Sequence, residues 1–156
     1  MTEQLASGPD AVTIRGAVPE DAGAVADVYL AAFAATYDFP LAHTDDEVRD
    51  WVADHVLPRL ETWVAEADGR VIAMMALDDA ALEQLYVEPG WHGQGIGSRL
   101  VELAKQRRPG GLQLHTFQVN ERARRFYERH GFVIGLLGDG SGNEEGQPDV
   151  LYRWRP

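Results

Sequence analysis

Residues 85–100 read Leu-Tyr-Val-Glu-Pro-Gly-Trp-His-Gly-Gln-Gly-Ile-Gly-Ser-Arg-Leu, and they constrain the fold more than any other stretch. A β-rich run ends at Val87. Glycines follow at alternate positions, Gly93, Gly95 and Gly97. An apolar pattern of helical period begins at Ile96 and continues through Leu100 and Leu103. The order is strand, glycine-rich turn, helix. Glycine has no Cβ, so such a turn can approach a ligand closely and take φ > 0. The first N–H groups of the helix then point outward, with the positive end of the helix dipole behind them. A turn of this build holds phosphate.

The spacing of the glycines separates the kinds of phosphate site. A P-loop requires Lys before its Ser or Thr, and the position before Ser98 is Gly97. A dinucleotide fingerprint requires Gly-x-Gly-x-x-Gly. Counted from Gly93 or Gly95, its third glycine falls on Ser98 or Leu100, and residues 112–120 hold no acidic partner. The stretch instead resembles the acetyl-CoA-binding motif of the GNAT N-acetyltransferase family, Arg/Gln-x-x-Gly-x-Gly/Ala after a strand ending Leu-Tyr-Val. Here Leu85, Tyr86 and Val87 lead to His92, Gly93, Gln94, Gly95, Ile96 and Gly97. The departure is His92, where the family has Arg or Gln.

A second motif makes the resemblance specific. Residues 120–132, Asn-Glu-Arg-Ala-Arg-Arg-Phe-Tyr-Glu-Arg-His-Gly-Phe, are similar to the family's Asn-x-x-Ala-x-x-Phe-Tyr-x-x-x-Gly-Phe. The residues also read on their own terms. Asn120 suits a helix N-cap, Ala123, Phe126 and Tyr127 share one helical face, and Gly131 suits the C-cap. The two motifs cover most of residues 82–132. The resemblance implies acetyl-CoA as cosubstrate, held by Leu85, Tyr86, Val87, His92, Gly93, Gln94, Gly95, Gly97, Ser98, Asn120 and Tyr127.

The whole chain fits one domain of this kind. Its 156 residues are 45% hydrophobic, enough to bury a core. Residues 1–10 read as a flexible polar tail without the shape of a signal peptide, and 11–156 as the domain. No run of 18 apolar residues predicts a membrane span. The absence of cysteine excludes disulfides and thiolate chemistry and suits the cytoplasm. A net charge of −11 argues against a nucleic-acid partner. Yet between Arg99 and Arg129 eight basic residues face three acidic ones, a local +5 against −16 elsewhere. That segment holds the second motif and follows the first, as anion binding would require. A homodimer is left open, and His43, His55 and His130 lack the spacing of metal ligands, so no metal is expected.

Periodicity predicts strands near 12–17, 62–67, 70–77, 81–87, 112–117, 132–137 and 150–154. It predicts helices over 19–35, after the Thr44-Asp-Asp-Glu47 capping box, from Ile96, and after Asn120. Asp68-Gly69 marks a hairpin, Pro58 should stop the second helix, and residues 138–149 are too glycine-rich to be regular. The resemblance implies the α+β variant of an α/β fold: a mixed, mostly antiparallel sheet of about seven strands, flanked by about four helices and splayed between strands four and five. The cosubstrate would lie in that gap.

Acetyl transfer to an amine needs a deprotonated amine, donors for the oxyanion and a proton for the leaving thiolate. The resemblance makes Tyr127 the acid. For the base, His115 stands on one strand face with Gln113, twelve residues before Tyr127, where related enzymes carry Glu; Glu83, on the strand before the glycine turn, is its rival. The resemblance places the acceptor amine among the first two helices, their loop and the late hairpin, with Phe33, Tyr37 and Glu144 as contacts beside Phe39, Trp51, Asn143 and Glu145. Acidic groups there favour a cationic amine and aromatics a flat one. The alternative to an enzyme is an acyl-CoA-binding or sensor module of the same fold without turnover.

Overall fold

A computed structural model describes residues 11–156; the predicted tail, residues 1–10, lies outside the described residues. The order is β1 (Thr13–Gly16), α1 (Ala22–Thr36), α2 (Asp45–Trp51), α3 (Leu57–Arg59), β2 (Glu61–Ala67), β3 (Arg70–Leu77), β4 (Leu82–Val87), α4 (Ile96–Arg107), β5 (Leu112–Phe117), α5 (Glu121–Arg129), β6 (Val133–Leu137) and β7 (Asp149–Trp154). The strands β1-β2-β3-β4 form one antiparallel sheet and β5-β7-β6 a second. The two sheets meet at one point, the parallel bridge Ala81↔Gln113, where the Gln113 N–H donates to Ala80 C=O at 3.0 Å. Past that bridge β4 and β5 diverge, so the sheet forks where the family resemblance implied it would.

β3 carries the core. Its residues from Val71 to Leu77 are all buried, which is why this run is apolar without alternation. One face packs Met74 and Ala76 against Val25, Ala26 and Val28 of α1 and Val48, Val52 and Val56 below it. The other packs Ile72, Met75 and Leu77 against Ile96, Leu100, Val101 and Ala104 of α4, and reaches Phe132 and Tyr152 of the second sheet. Asp68 and Gly69 turn the β2–β3 hairpin with φ of 54° and 75°, the left-handed pair a two-residue turn of this twist needs.

The Thr44 hydroxyl accepts from Glu47 N–H and the Glu47 carboxylate from Thr44 N–H, closing the capping box. Pro58 does not stop the helix there as the sequence suggests. A π-helical turn at Val52–Val56 joins α2 to α3, and Leu57 N–H bonds back to Val52 C=O. Pro58 then falls in the first turn of α3, where a missing N–H is harmless, and the rod ends at Arg59. β6 is an edge strand whose Val133, Ile134, Leu136 and Leu137 are all exposed, interrupted by a bulge between Ile134 and Leu136.

The start of α1 is pinned by charge. Arg15 of β1 donates to both Asp21 carboxylate oxygens, at 2.8 and 3.0 Å, and to Glu66 at 3.1 Å. Asp21 also accepts from Val18 N–H at 2.8 Å. The Arg15 guanidinium holds the Asp21 carboxyl below the usual carboxylate range. A carboxyl lowered on folding stabilises above its unfolded pKa, about 3.9, and the contribution is lost as pH falls through the folded value. Asp21→Asn should therefore lower stability by about 1–2 kcal/mol at pH 7. Urea titrations at pH 7 and pH 3 should show the parent losing more between them than the variant.

Candidate active site

The fork opens into a cavity of about 920 Å³ bounded by the end of β4, the glycine turn, α4, α5 and the end of α1. On one wall Gly93 and Gly95 both take φ of 79°, and a Cβ at either would meet nothing within 4 Å. The left-handed conformation fixes these glycines, and their outer face is open to a ligand. Gly95 is the N-cap of α4, whose first-turn N–H groups have no acceptor in the helix. Gly97 has a different reason. Its φ is ordinary, but a Cβ there would stand 3.2 Å from the Phe126 ring, so it lets α5 cross the start of α4. Ser98 Oγ lies 2.9 Å from His130 Nε2.

His92 links the two sides of the fork. Its Nε2 lies 3.1 Å from Val87 C=O and its Nδ1 2.7 Å from Arg122 Nη1. Burial, then the Arg122 charge, pushes its pKa below that of a free imidazole. Asn120 caps α5, its Oδ1 accepting from Ala123 N–H at 3.1 Å. The same amide donates to the Tyr37 hydroxyl at 2.9 Å, which ties α5 to the end of α1.

Four tyrosines gather at the inner end. Tyr37, Tyr86 and Tyr127 line the cavity, and the Tyr29 ring packs edge-on to Tyr86 at 4.9 Å. Burial raises Tyr127 well above an ordinary phenol, with Tyr37 adding to the rise, so it keeps its proton at neutral pH. The Tyr127 hydroxyl makes no hydrogen bond to any described residue. Tyr29 is pushed up to about 12 by burial, then by Glu145, Tyr37 and Glu144. Tyr86 is raised by burial, with Glu145 contributing. The carboxylates of the β6–β7 loop thus act on the tyrosine cluster.

The sequence-predicted residues fall into two groups. Leu85, Tyr86, Val87, His92, Gly93, Gly95, Gly97, Ser98, Asn120, Tyr127 and Tyr37 all line the cavity. Gln94 sits in the turn between lining glycines. Phe33 is buried behind the wall, packed on Tyr37 at 4.8 Å and Phe39 at 5.8 Å. The Glu144 carboxylate pairs with His43 Nε2 at 2.5 Å on the surface. His115 is exposed on β5, and neither it nor Glu83 lines the cavity. Glu83 is raised by burial and by the neighbouring Asp78 carboxyl. In the sequence Arg122 is only one of a basic run. Its contact with His92 spans 30 positions, and no local pattern reports it.

An acetyltransferase (GNAT) domain profile matches residues 58–134. The chain is 31% identical to the peptidyl-lysine N-acetyltransferase YjaB of Salmonella typhimurium, over 79% of this chain and 84% of that protein. The chain belongs to the GNAT acetyltransferases. It is 29% identical to the peptidyl-lysine N-acetyltransferase YiaC of Escherichia coli, over 78% and 83% of the two chains. The solution structure of apo YjaB from Escherichia coli superposes with a TM-score of 0.76 at 26% identity, covering 92% of this chain and 97% of that one. The PaiA N-acetyltransferase of Thermoplasma acidophilum, solved with coenzyme A, shares the fold with a TM-score of 0.72 at 18% identity, over 93% and 99% of the chains. This GNAT chain is an N-acetyltransferase with acetyl-CoA as cosubstrate. No cluster of His, Asp or Glu able to hold a metal occurs among the described residues.

The Asn120–Tyr37 bond closes the cavity between α1 and α5, so the two side chains should be energetically coupled. Asn120→Ala removes a cap as well as the tether and should lower stability by about 1–2 kcal/mol. Tyr37→Phe should lower it by less. In a double-mutant cycle followed by urea denaturation, the combined loss should be smaller than the sum of the two.

Proposed function

We propose that this N-acetyltransferase acetylates a lysine-like primary amine, carried on a peptide, by direct attack in a ternary complex in the cytoplasm. The observation that carries the acceptor class is the aromatic cluster of Tyr29, Tyr37 and Tyr86 at the inner end, with the Glu145 and Glu144 carboxylates outside the cavity wall adding negative potential at Tyr29. An alkylammonium is attracted both by tyrosine faces and by carboxylates. The peptidyl-lysine N-acetyltransferases YjaB and YiaC, to which the chain is similar, support the same choice.

Bound acetyl-CoA supplies an activated thioester carbonyl. Gly93, Gln94, Gly95, Gly97 and Ser98 present the amides of the turn and of the first helical turn to its pyrophosphate. Leu85, Tyr86 and Val87 lie on β4 past the fork, where its edge facing β5 has no partner strand and can pair with an extended ligand. Asn120 holds the start of α5 against the cavity. Tyr127 keeps its proton and has no competing hydrogen bond, which suits it to protonate the departing thiolate. No base role goes to His115 or Glu83, since neither reaches the cavity wall. The protonated tyrosine hydroxyls can only relay a proton, so the ammonium loses its proton to solvent water before attack.

Two outcomes follow. Tyr127→Phe should lower kcat at least about tenfold, at the low end of general acid catalysis, with little change in acetyl-CoA affinity. His115→Ala and Glu83→Gln should leave kcat/KM within about twofold; a large loss in either would return it to the site. For the acceptor, a thiol-release assay should show turnover with an Nα-acetylated lysine peptide and none when that lysine is replaced by norleucine. Glu145→Gln should raise the KM for that peptide about three- to tenfold, the effect of one screened charge pair of about 1 kcal/mol. Turnover only with peptides bearing a free N-terminus would overturn the acceptor class.

A further inference from the structure

The departure of His92 from the family motif has a partner across the cavity. His92 cannot supply the side chain that Arg or Gln would extend from this position. What it does instead is set by its two ring nitrogens. A carbonyl can only accept, so the ring nitrogen facing Val87 C=O, Nε2, carries the proton. A guanidinium can only donate, so Nδ1 accepts from Arg122. Both bonds together require the neutral Nε2–H tautomer. Val87 ends β4 and Arg122 lies in the first turn of α5, so this imidazole spans the mouth of the fork.

Arg122 is otherwise uncompensated. No described carboxylate lies within ion-pair distance of it, although the chain carries a net charge of −11. Its neighbour Glu121 pairs with Arg125, and Glu88, near His92, pairs with Arg70. Arg122 lines the same cavity as Gly93 and Gly95. One of its five N–H donors is used by His92, which leaves a fork free for an oxyanion.

We propose that Arg122 is a phosphate-binding cation for the cosubstrate and that His92 is the positioning residue that aims it. This rests on the acetyl-CoA site described above. The cation that the Arg form of the family motif carries at position 92 is here delivered from α5, through a neutral imidazole. Protonation of His92 removes the acceptor and sets two cations against each other, so cosubstrate affinity falls as pH drops through the imidazole range. The groups around the ring are the Val87 carbonyl from β4 and Arg122 from α5. Burial and the Arg122 charge both favour the neutral ring at pH 7. The ligand chemistry is a phosphate oxyanion, and acetyl-CoA offers it in the pyrophosphate and in the 3′-phosphate.

The test is calorimetric binding of acetyl-CoA to the full chain and to His92→Leu, His92→Gln, Arg122→Gln and the Leu/Gln double variant, each checked for folding by circular dichroism. Arg122→Gln and His92→Leu should each weaken binding about five- to thirtyfold, and the double variant no more than Arg122→Gln alone. In His92→Gln the side-chain amide can donate to Val87 and accept from Arg122, so affinity at pH 7.5 should return to within about threefold of the parent. The parent should bind more weakly at pH 5.5 than at pH 7.5, and His92→Gln should lose that dependence. In His92→Leu, Arg122→Gln and the double variant KM for acetyl-CoA should rise, while in His92→Gln at pH 7.5 it should stay near that of the parent; kcat at saturation should stay within about twofold throughout. Repeating the series with 3′-dephospho-coenzyme A separates the two phosphates. If the Arg122 effect disappears the 3′-phosphate is the partner; if it persists, the pyrophosphate is. Parent-like affinity in Arg122→Gln overturns the cation, and parent-like affinity in His92→Leu overturns its positioning by His92. Failure of the parent itself to bind acetyl-CoA would instead remove the reading of the site on which this inference stands.

Discussion

The single parallel bridge between Ala81 and Gln113 decides the rest of the molecule. A sheet that continued pairing past it would satisfy the facing edges of β4 and β5 and leave no room between them. Because pairing stops after one bridge, the backbone edges beyond it are free and a cavity opens between two otherwise ordinary antiparallel sheets. Both helices that follow the fork strands start at its mouth. α4 begins at the glycine turn after β4, and α5 begins at Asn120 after β5. Two helix N-termini and two free strand edges thus face one space, which gives an anionic, extended ligand a place without any metal or dedicated loop. The closed end of the fork is held firmly. Arg108 donates to Asp78 C=O at 2.8 Å and to Glu61 at 3.0 Å, and Arg107 stacks over Trp63 at 5.6 Å.

The electrostatics inside the fork are divided along its length. At the glycine end the protein offers amides, Arg122 and the basic face of α5. At the inner end it offers tyrosine hydroxyls kept protonated by burial, with carboxylates beyond them. On the function proposed above, a cosubstrate rich in phosphate and an acceptor bearing an ammonium would be drawn to opposite ends of one cavity, with Tyr127 between these two fields. The opposition also explains how a strongly acidic chain can hold an acidic cosubstrate: the bulk of its negative charge lies outside residues 99–129.

Much of this was legible in the residues because it is local. The glycine turn, the Asn120 cap, the Thr44 box and the Asp68-Gly69 hairpin each lie within a few positions, and each appears where its spacing predicts. The fork itself came only through the resemblance of the two motifs to a known family, since no periodicity reports where pairing stops. What escaped the sequence depends on distant partners. The π turn that carries the helical rod past Pro58 is a compromise with the packing of Val52 and Val56. The exposure of His115 follows from which face of β5 the core claims, and alternation alone leaves that choice open. The His92–Arg122 contact joins two motifs that were read separately. At its own position His92 is only a departure from the motif, because its partner Arg122 lies on another helix.

The bulge in β6 has a consequence for the solubility of the chain. An edge strand with four exposed apolar side chains is a template for pairing with other molecules. Here the bulge at Gly135 breaks the straight ladder midway along those five residues. A Cβ at that position would stand 3.2 Å from the Arg153 guanidinium, so the absent side chain leaves room for a charge beside the most apolar stretch of the surface. Glycine and arginine together interrupt the ladder and set a charge beside it, two devices that blunt pairing along an exposed edge.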